Sequence, residues 1–176
     1  MRVLQVFEDD CYPDMGVEHE RRSVRGIVLD ASGKVALLRC HGPVSDGHMM
    51  DCYLTPGGGM ELGETKEMTV RRELGEELGI EIEILSEVGC IVDRYNNIRQ
   101  RNLVYYYLVM VAGSRPLQRT DEEDGFITTV EWLPIDEAIW VLNTYPADPR
   151  GLTLHRRDRM ALLEAKRILC GLKTIS

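Results

Sequence analysis

The residues best placed for chemistry are three carboxylates, Glu73, Glu76 and Glu77, closing a segment that opens with Pro56-Gly57-Gly58-Gly59. At about 100° per residue, a helix would carry all three within roughly 100° of arc, as one acidic face. Val70, Leu74 and Leu78 fall beside that face in an apolar stripe, so one helix can pack on a core and hold its acids at the rim. Glutamates spaced i, i+3 and i+4 repel one another by roughly 0.2–0.5 kcal/mol per pair on an exposed helix. Hard divalent cations, Mg²⁺ or Mn²⁺, would offset that cost, because they take oxygen ligands from a few carboxylates and from substrate phosphates. A solvated acidic face is the competing reading, and the glycine turn ahead of the helix favours the cation.

Several elements must position these acids. Thr65 as N-cap, Glu67 in the first turn and Gly79 just past the end predict a helix over Lys66–Leu78. Before it, Val3–Phe7 reads as a short edge strand and residues 8–22 as an acidic loop broken by Pro13 and Gly16. That loop can cover a sheet edge or reach a second subunit, so a homodimer is one expectation. Residues 22–29 and 34–39 read as a hairpin around the turn 30–33. Residues 40–51 read as a loop whose His41 and His48 are weak metal signals, followed by a strand at 52–55.

Beyond the helix, residues 81–93 alternate loosely enough for a strand with a bulge at Gly89. The run 103–111 is β-branched and aromatic, as suits a central strand. The tip between them, residues 94–101, is either solvated or a reader of base or phosphate. Residues 120–125 form an acidic loop before a strand at Ile127–Leu133. A helix then runs from Pro134 and Asp136 through Leu142, and residues 145–151 connect to a last helix over 155–169. That helix should turn Met160, Leu163 and Ile168 inward and its arginines outward. Trp132 and Trp140 read as core or cleft wall.

With 176 residues, the chain divides most simply into an N-terminal extension, 1–21, and a single domain, 22–176. Its 44% hydrophobic content suits a globular core, and the net charge of −8 argues against nonspecific nucleic-acid or anionic-membrane binding. Cys11, Cys40, Cys52, Cys90 and Cys170 are scattered and odd in number, which reads as reduced thiols in the cytoplasm. No leader or membrane-spanning run is expected.

The segment from Gly58 to Ile80 resembles the Nudix box position by position: Gly58, Glu64, Arg72-Glu73-Leu74, Glu76-Glu77 and Gly79-Ile80. This resemblance implies an α+β fold, a Nudix-type α/β/α sandwich with a mixed β-sheet. It implies metal-dependent hydrolysis of a nucleoside diphosphate linked to another moiety, with Mg²⁺ or Mn²⁺ held by Glu73, Glu76, Glu77 and the Gly58 carbonyl. Arg72 would orient a neighbouring carboxylate, and Glu64 would stabilise the turn or stand outside the ligands. Family members often carry one further glutamate near the metal, here Glu123 ahead of Glu122, which joins Glu73, Glu76 and Glu77 as a catalytic candidate. Arg39, at a strand end, and Arg25 are the candidate phosphate contacts, with a solvated cation the plainer reading of Arg39. Residues 81–115 lack the proline of ADP-ribose enzymes and the proline- and tryptophan-rich segment of NADH enzymes, which favours a nucleoside triphosphate or similar small nucleotide. The alternative is a Nudix-fold sensor that binds a nucleotide without cleaving it, which an intact box disfavours.

Overall fold

Both faces of one strand are buried, and that strand explains the layering. In a computed structural model of the chain, β7 (Gln100–Ser114) sends Val104, Tyr106 and Leu108 to one core and Tyr107 and Val109 to another. Alternate side chains of a strand point to opposite faces, so the apolar run read at 103–111 needs cover on each side. The structure describes residues 1–9, 12–43, 47 and 49–173, apart from the side chains of residues 122, 172 and 173. The expectations for Cys11 and His48, and for the side chain of Glu122, lie outside the described residues.

The elements run β1 (Val3–Phe7), β2 (His19–Leu29), β3 (Val35–Pro43), β4 (Met49–Leu54), β5 (Gly57–Gly59), α1 (Lys66–Leu78), β6 (Ile80–Tyr95) and β7. They continue with α2 (Asp121–Phe126), β8 (Ile127–Leu133), α3 (Ile135–Thr144) and α4 (Pro149–Lys173). A mixed sheet has the order β1-β6-β7-β2-β5, parallel at β1/β6 and β7/β2 and antiparallel at β6/β7 and β2/β5. β3 lies antiparallel between β4 and β8. Among the described residues these two groups join at one pair, Leu29 with Val35. The expected hairpin is present, closed by the Asp30 amide donating to the Lys34 carbonyl at 2.9 Å, but its ladder is short, and beyond Leu29 and Val35 its strands pair with other strands of one eight-stranded sheet.

Val70 and Leu74 of α1 pack on Val24, Val28 and Ile82, and Gly26 of β2 lets Leu74 approach: a Cβ there would sit 2.8 Å from Leu74 Cδ1. On the other face Ala138 and Leu142 of α3 and Ala161, Leu162 and Ala165 of α4 pack on Ile27, Ile91 and Tyr106. The chain is thus an α/β/α sandwich with a mixed sheet. No helix among the described residues is long and apolar enough to cross a membrane.

Several boundaries differ from the sequence reading. β2 begins at His19 because residues 19–22 pair in parallel with residues 100–103 of β7. β3 and β4 extend to Pro43 and from Met49, shortening the loop read at 40–51. The acidic stretch 120–125 is largely helix, since Thr120 and Glu123 cap one another. α4 starts at Pro149, where a proline costs no hydrogen bond in a first turn. Its inner stripe is His155, Asp158, Ala161, Leu162 and Ala165, so Leu163 is exposed and Arg157, read as outward, is buried. Trp132 packs against the α1-side core, whereas Trp140 is 63% exposed and forms no core.

Candidate active site

The glycine turn is pressed between β2 and α1, and its lack of side chains is a steric requirement. Gly57 has φ 128°, and a Cβ on it would lie 2.3 Å from the Val24 carbonyl oxygen. A Cβ on Gly58 would lie 2.4 Å from Glu73 Oε2, in space the carboxylate occupies. The Gly57 amide donates to Glu77 Oε2 at 2.6 Å, and the Gly26 amide to the Pro56 carbonyl at 2.9 Å. These contacts seat the turn against the carboxylates of α1, whose N-cap Thr65 accepts from the Met68 amide and whose Gly79 adopts φ 65°.

Glu73, Glu77 and Glu123 each offer one oxygen within 4.8 Å of the others. Glu73 and Glu77 are only 6% and 7% exposed. Burial pushes Glu77 up to about 8, although the Arg25 charge and the Gly57 amide oppose the rise. Burial raises Glu73 too, against the pull of Arg72. Buried carboxylates held this close, with only Arg72 beside Glu73 and the Arg25 charge acting on Glu77, and with oxygen as the donor throughout, suit a hard divalent cation.

Glu76 stands apart from this trio. Its Oε2 accepts from Arg72 Nη1 at 2.9 Å, and the same nitrogen lies 2.9 Å from Glu73 Oε1. Arg72 also donates from Nε to Glu64 Oε1 at 2.7 Å and from Nη2 to the Gly59 carbonyl at 2.9 Å. Glu64 takes the Glu61 amide and the Thr69 hydroxyl on Oε2, and with Arg72 beside it is held down to about 2. Arg72 and Glu64 therefore tie the glycine turn to the helix and fix Glu73 and Glu76.

Glu123 is brought in by α2. Its Oε2 accepts from the Thr120 amide at 2.7 Å and the Thr120 hydroxyl at 2.9 Å, while the Thr120 oxygen accepts from the Glu123 amide. Two arginines that the sequence reading did not single out bind the preceding segment to α1. Arg119 Nε donates to the Glu77 carbonyl at 2.8 Å, and Arg115 Nη2 to the Arg72 carbonyl at 2.9 Å. The Arg115 guanidinium occupies the notch over Gly75, where a Cβ would lie 1.5 Å from Nη2. A glycine inside a good helix pattern was the available signal.

The two candidate phosphate contacts lie in different settings. Arg25 donates to the Thr55 carbonyl and its charge acts on Glu77. Arg39 is ion-paired with Asp51, donates to the Tyr145 hydroxyl and the Cys40 carbonyl, and lies 5.2 and 4.7 Å from the Tyr53 and Tyr145 ring centres. Tyr145 OH also donates to Asp51. A second polar cluster, also missed, lies under α4. Asp158 accepts from the Thr55 amide and hydroxyl at 2.8 Å each, Tyr106 OH at 2.5 Å and Arg157 Nε at 2.9 Å.

A mixed sheet between helices, with a glycine turn set against helix glutamates, defines the class to which this site belongs. The NUDIX domain family model matches residues 19–155, and the chain belongs to that family. It is 36% identical over 84 residues to a "Putative mutator protein MutT4" of Mycobacterium tuberculosis, covering 47% of this chain and 32% of that protein. A "Putative 8-oxo-dGTP diphosphatase 2" of the same organism is 32% identical over 113 residues, covering 58% of this chain and 75% of the relative. The chain thus spans only about a third of the first relative's length. Among solved structures, a MutT protein from Methanosarcina mazei Go1 superposes with a TM-score of 0.62 at 16% identity, covering 85% of this chain and 95% of that one.

Proposed function

We propose that this protein is a divalent-cation-dependent hydrolase that cleaves a phosphoric anhydride bond in a nucleoside diphosphate linked to another group, with a nucleoside triphosphate or similar small nucleotide as substrate. The observation that carries this reading is the convergence of Glu73, Glu77 and Glu123 beside the Gly57-Gly58 turn. A bound Mg²⁺ or Mn²⁺ would polarise phosphoryl oxygens and stabilise charge on the leaving phosphate. Glu73 and Glu77 would hold it, with the Gly58 carbonyl alongside and Glu76 at the rim. Glu123, oriented by Thr120, takes the proton of the attacking water, a contribution of ~10²–10⁴-fold for a general base. Arg72 keeps Glu73 and Glu76 in place, and Glu64 keeps Arg72. Arg25 and Arg39 contact the substrate phosphates. The 8-oxo-dGTP named for one relative supports a triphosphate.

The test is a screen of nucleoside triphosphates, dinucleotides and nucleotide sugars with Mg²⁺, reading phosphate or pyrophosphate release and the nucleotide product. Turnover abolished by chelator is expected; a folded protein that binds nucleotide and Mn²⁺ but turns over none of them would be a sensor instead. Arg39→Ala should chiefly raise KM. Unchanged kinetics would leave Arg39 as a structural cation, held by Asp51 and the two tyrosines.

A further inference from the structure

A pocket of about 250 Å³ lies behind α1, lined by Arg71, Arg115 and Glu81 together with Ile80, Ile82 and Ala112. It opens where the β6/β7 ladder is interrupted. The register shifts between Glu81, which faces Gly113, and Ile82, which faces Val111, so Ala112 is an extra residue and β7 bulges there. At the bulge Arg71 Nη1 donates to the Ile82 carbonyl at 2.5 Å. Arg71 and Gly75 are four residues apart and share one face of α1, roughly 160° round from Glu73. Over Gly75 lies the Arg115 guanidinium, which donates from Nη2 to the Arg72 carbonyl at 2.9 Å. The missing side chain at position 75 thus brings a second guanidinium to the pocket that Arg71 enters.

The charge on these two side chains lacks a counterpart. In a chain of net charge −8, Arg72, Arg94, Arg119 and Arg157 each lie within 3.8 Å of a carboxylate oxygen. Arg71 and Arg115 form no ion pair among the described residues; their bonds go to neutral carbonyls, and Arg115 Nε is buried without a partner among those residues. A guanidinium carries five N–H donors in a planar fork that matches phosphate oxygens two at a time, through charge-assisted bonds stronger than neutral ones. The pocket is smaller than the ~300–1,000 Å³ of sites that enclose whole drug-sized ligands, so it suits a phosphate or pyrophosphate group with any attached nucleoside left outside. Glu81 is the one carboxylate among the lining residues, and its charge weakens the binding of an anion.

We propose that Arg71 and Arg115 form a phosphate-binding site behind α1, for free phosphate or pyrophosphate or for the phosphate end of a nucleotide. The site lies on the face of α1 turned away from Glu73 and Glu77, so it stands independently of the proposed hydrolysis.

Calorimetric titration of the full chain with pyrophosphate, in chelator and at low ionic strength, should show one saturable site, because the carboxylate cluster without its cation repels anions. Arg71→Gln, which supplies an N–H of its own beside the Ile82 carbonyl, should raise the dissociation constant about tenfold or more, the loss of a charge-assisted contact. Glu81→Gln should lower it severalfold, a gain that a merely structural role for Arg71 would not produce. Arg25→Ala and Arg39→Ala should leave it unchanged. Parallel titrations with inorganic phosphate and with a nucleoside monophosphate identify the source by which of the two binds more tightly, and either order upholds the site. No saturable binding of any of the three, an affinity indifferent to both Arg71→Gln and Glu81→Gln, or binding lost in Arg25→Ala or Arg39→Ala and kept in Arg71→Gln would overturn the proposal. Circular dichroism of each variant verifies the fold.

Discussion

Asp158 on α4 and Glu77 on α1 are both buried carboxylates, set against opposite faces of the same sheet. Removing an ionised carboxylate from water costs several kcal/mol unless hydrogen bonds and opposite charge replace the solvent. Asp158 has such replacement in full: two donors from Thr55, the Tyr106 hydroxyl and Arg157, which together hold it below the usual carboxylate range despite burial. Glu77 accepts from the Gly57 amide and feels the Arg25 charge, and still rises to about 8. Asp93 lies between these cases, raised by burial although Arg157 Nη1 is 3.4 Å from its Oδ2. A saturated carboxylate, Asp158, fastens α4 to the sheet. An unsaturated one leaves carboxylate charge to be balanced by a cation, and that difference separates scaffold from site.

The largest expected effect breaks the unsaturated side. Glu77→Gln should nearly abolish hydrolysis while leaving the cation-free fold at least as stable, because the variant removes an undercompensated charge. In wild type, Mg²⁺ at a hundredfold excess over its Kd should add about 2.7 kcal/mol, roughly 5–10 °C in Tm for a domain of this size. Glu77→Gln should lose most of that gain. Equal stabilisation of both proteins by Mg²⁺ would show that Glu77 holds no cation.

Glu123→Gln sharpens the comparison within the site. If Glu123 accepts the water's proton without being needed to retain the cation, turnover should fall ~10²–10⁴-fold with Mn²⁺ affinity nearly unchanged. Parallel loss of turnover and Mn²⁺ affinity would make it a ligand, and wild-type turnover would return the base to α1. On the saturated side, Asp158→Ala should cost about 3–5 kcal/mol, the cost of breaking a buried ion pair by removing one partner, although Arg157 keeps Asp93; the loss is read from denaturant midpoints. The Mg²⁺ response of the folded fraction should persist. A cost near zero would mean that the network under α4 is not what holds that helix.

The two sides also differed in legibility. α1 could be read from residue types alone, since Thr65, Gly79 and the stripe Val70, Leu74, Leu78 are local signals that agree, and β8 matched its predicted bounds. The helix at Asp121–Phe126 had a local signal too, Thr120 followed three residues later by Glu123, but four consecutive acids suggested a solvated loop. The cluster under α4 had none. Asp158 finds its partners at Thr55 and Tyr106, distant in sequence, and its helix turns inward a stripe of alanine, histidine and aspartate that no hydrophobic period reveals. The parting of β2 and β3 after Leu29–Val35 is likewise a consequence of tertiary pairing and not of either strand's composition.

The smallest effect concerns His155, one turn before Asp158. Its Nε2 accepts the Tyr53 amide at 2.9 Å, and Nδ1 is buried with no partner among the described residues. Burial lowers its pKa below the ordinary 6.5 and Arg39 adds to the fall, while Asp158 and Asp148 oppose it. The folded protein thus binds this proton more weakly than the unfolded chain. Above pH 6.5 the histidine is neutral in both states and contributes no slope. As pH falls from 6.5 toward the folded value, the unfolded chain takes up the proton first, so stability falls by at most ~1.4 kcal/mol per pH unit for one group. Asp158 does not confuse that window, because a carboxylate held below 3.8 loses its contribution only in stronger acid. Urea midpoints of wild type and His155→Gln, measured at about pH 5–7.5, should differ in slope below 6.5 and run parallel above it. All other ionisable groups are common to the two proteins and cancel in the difference. Parallel slopes throughout would mean that the proton is accepted equally well in both states, and that the α4 side tolerates charge where its carboxylate partners are already saturated.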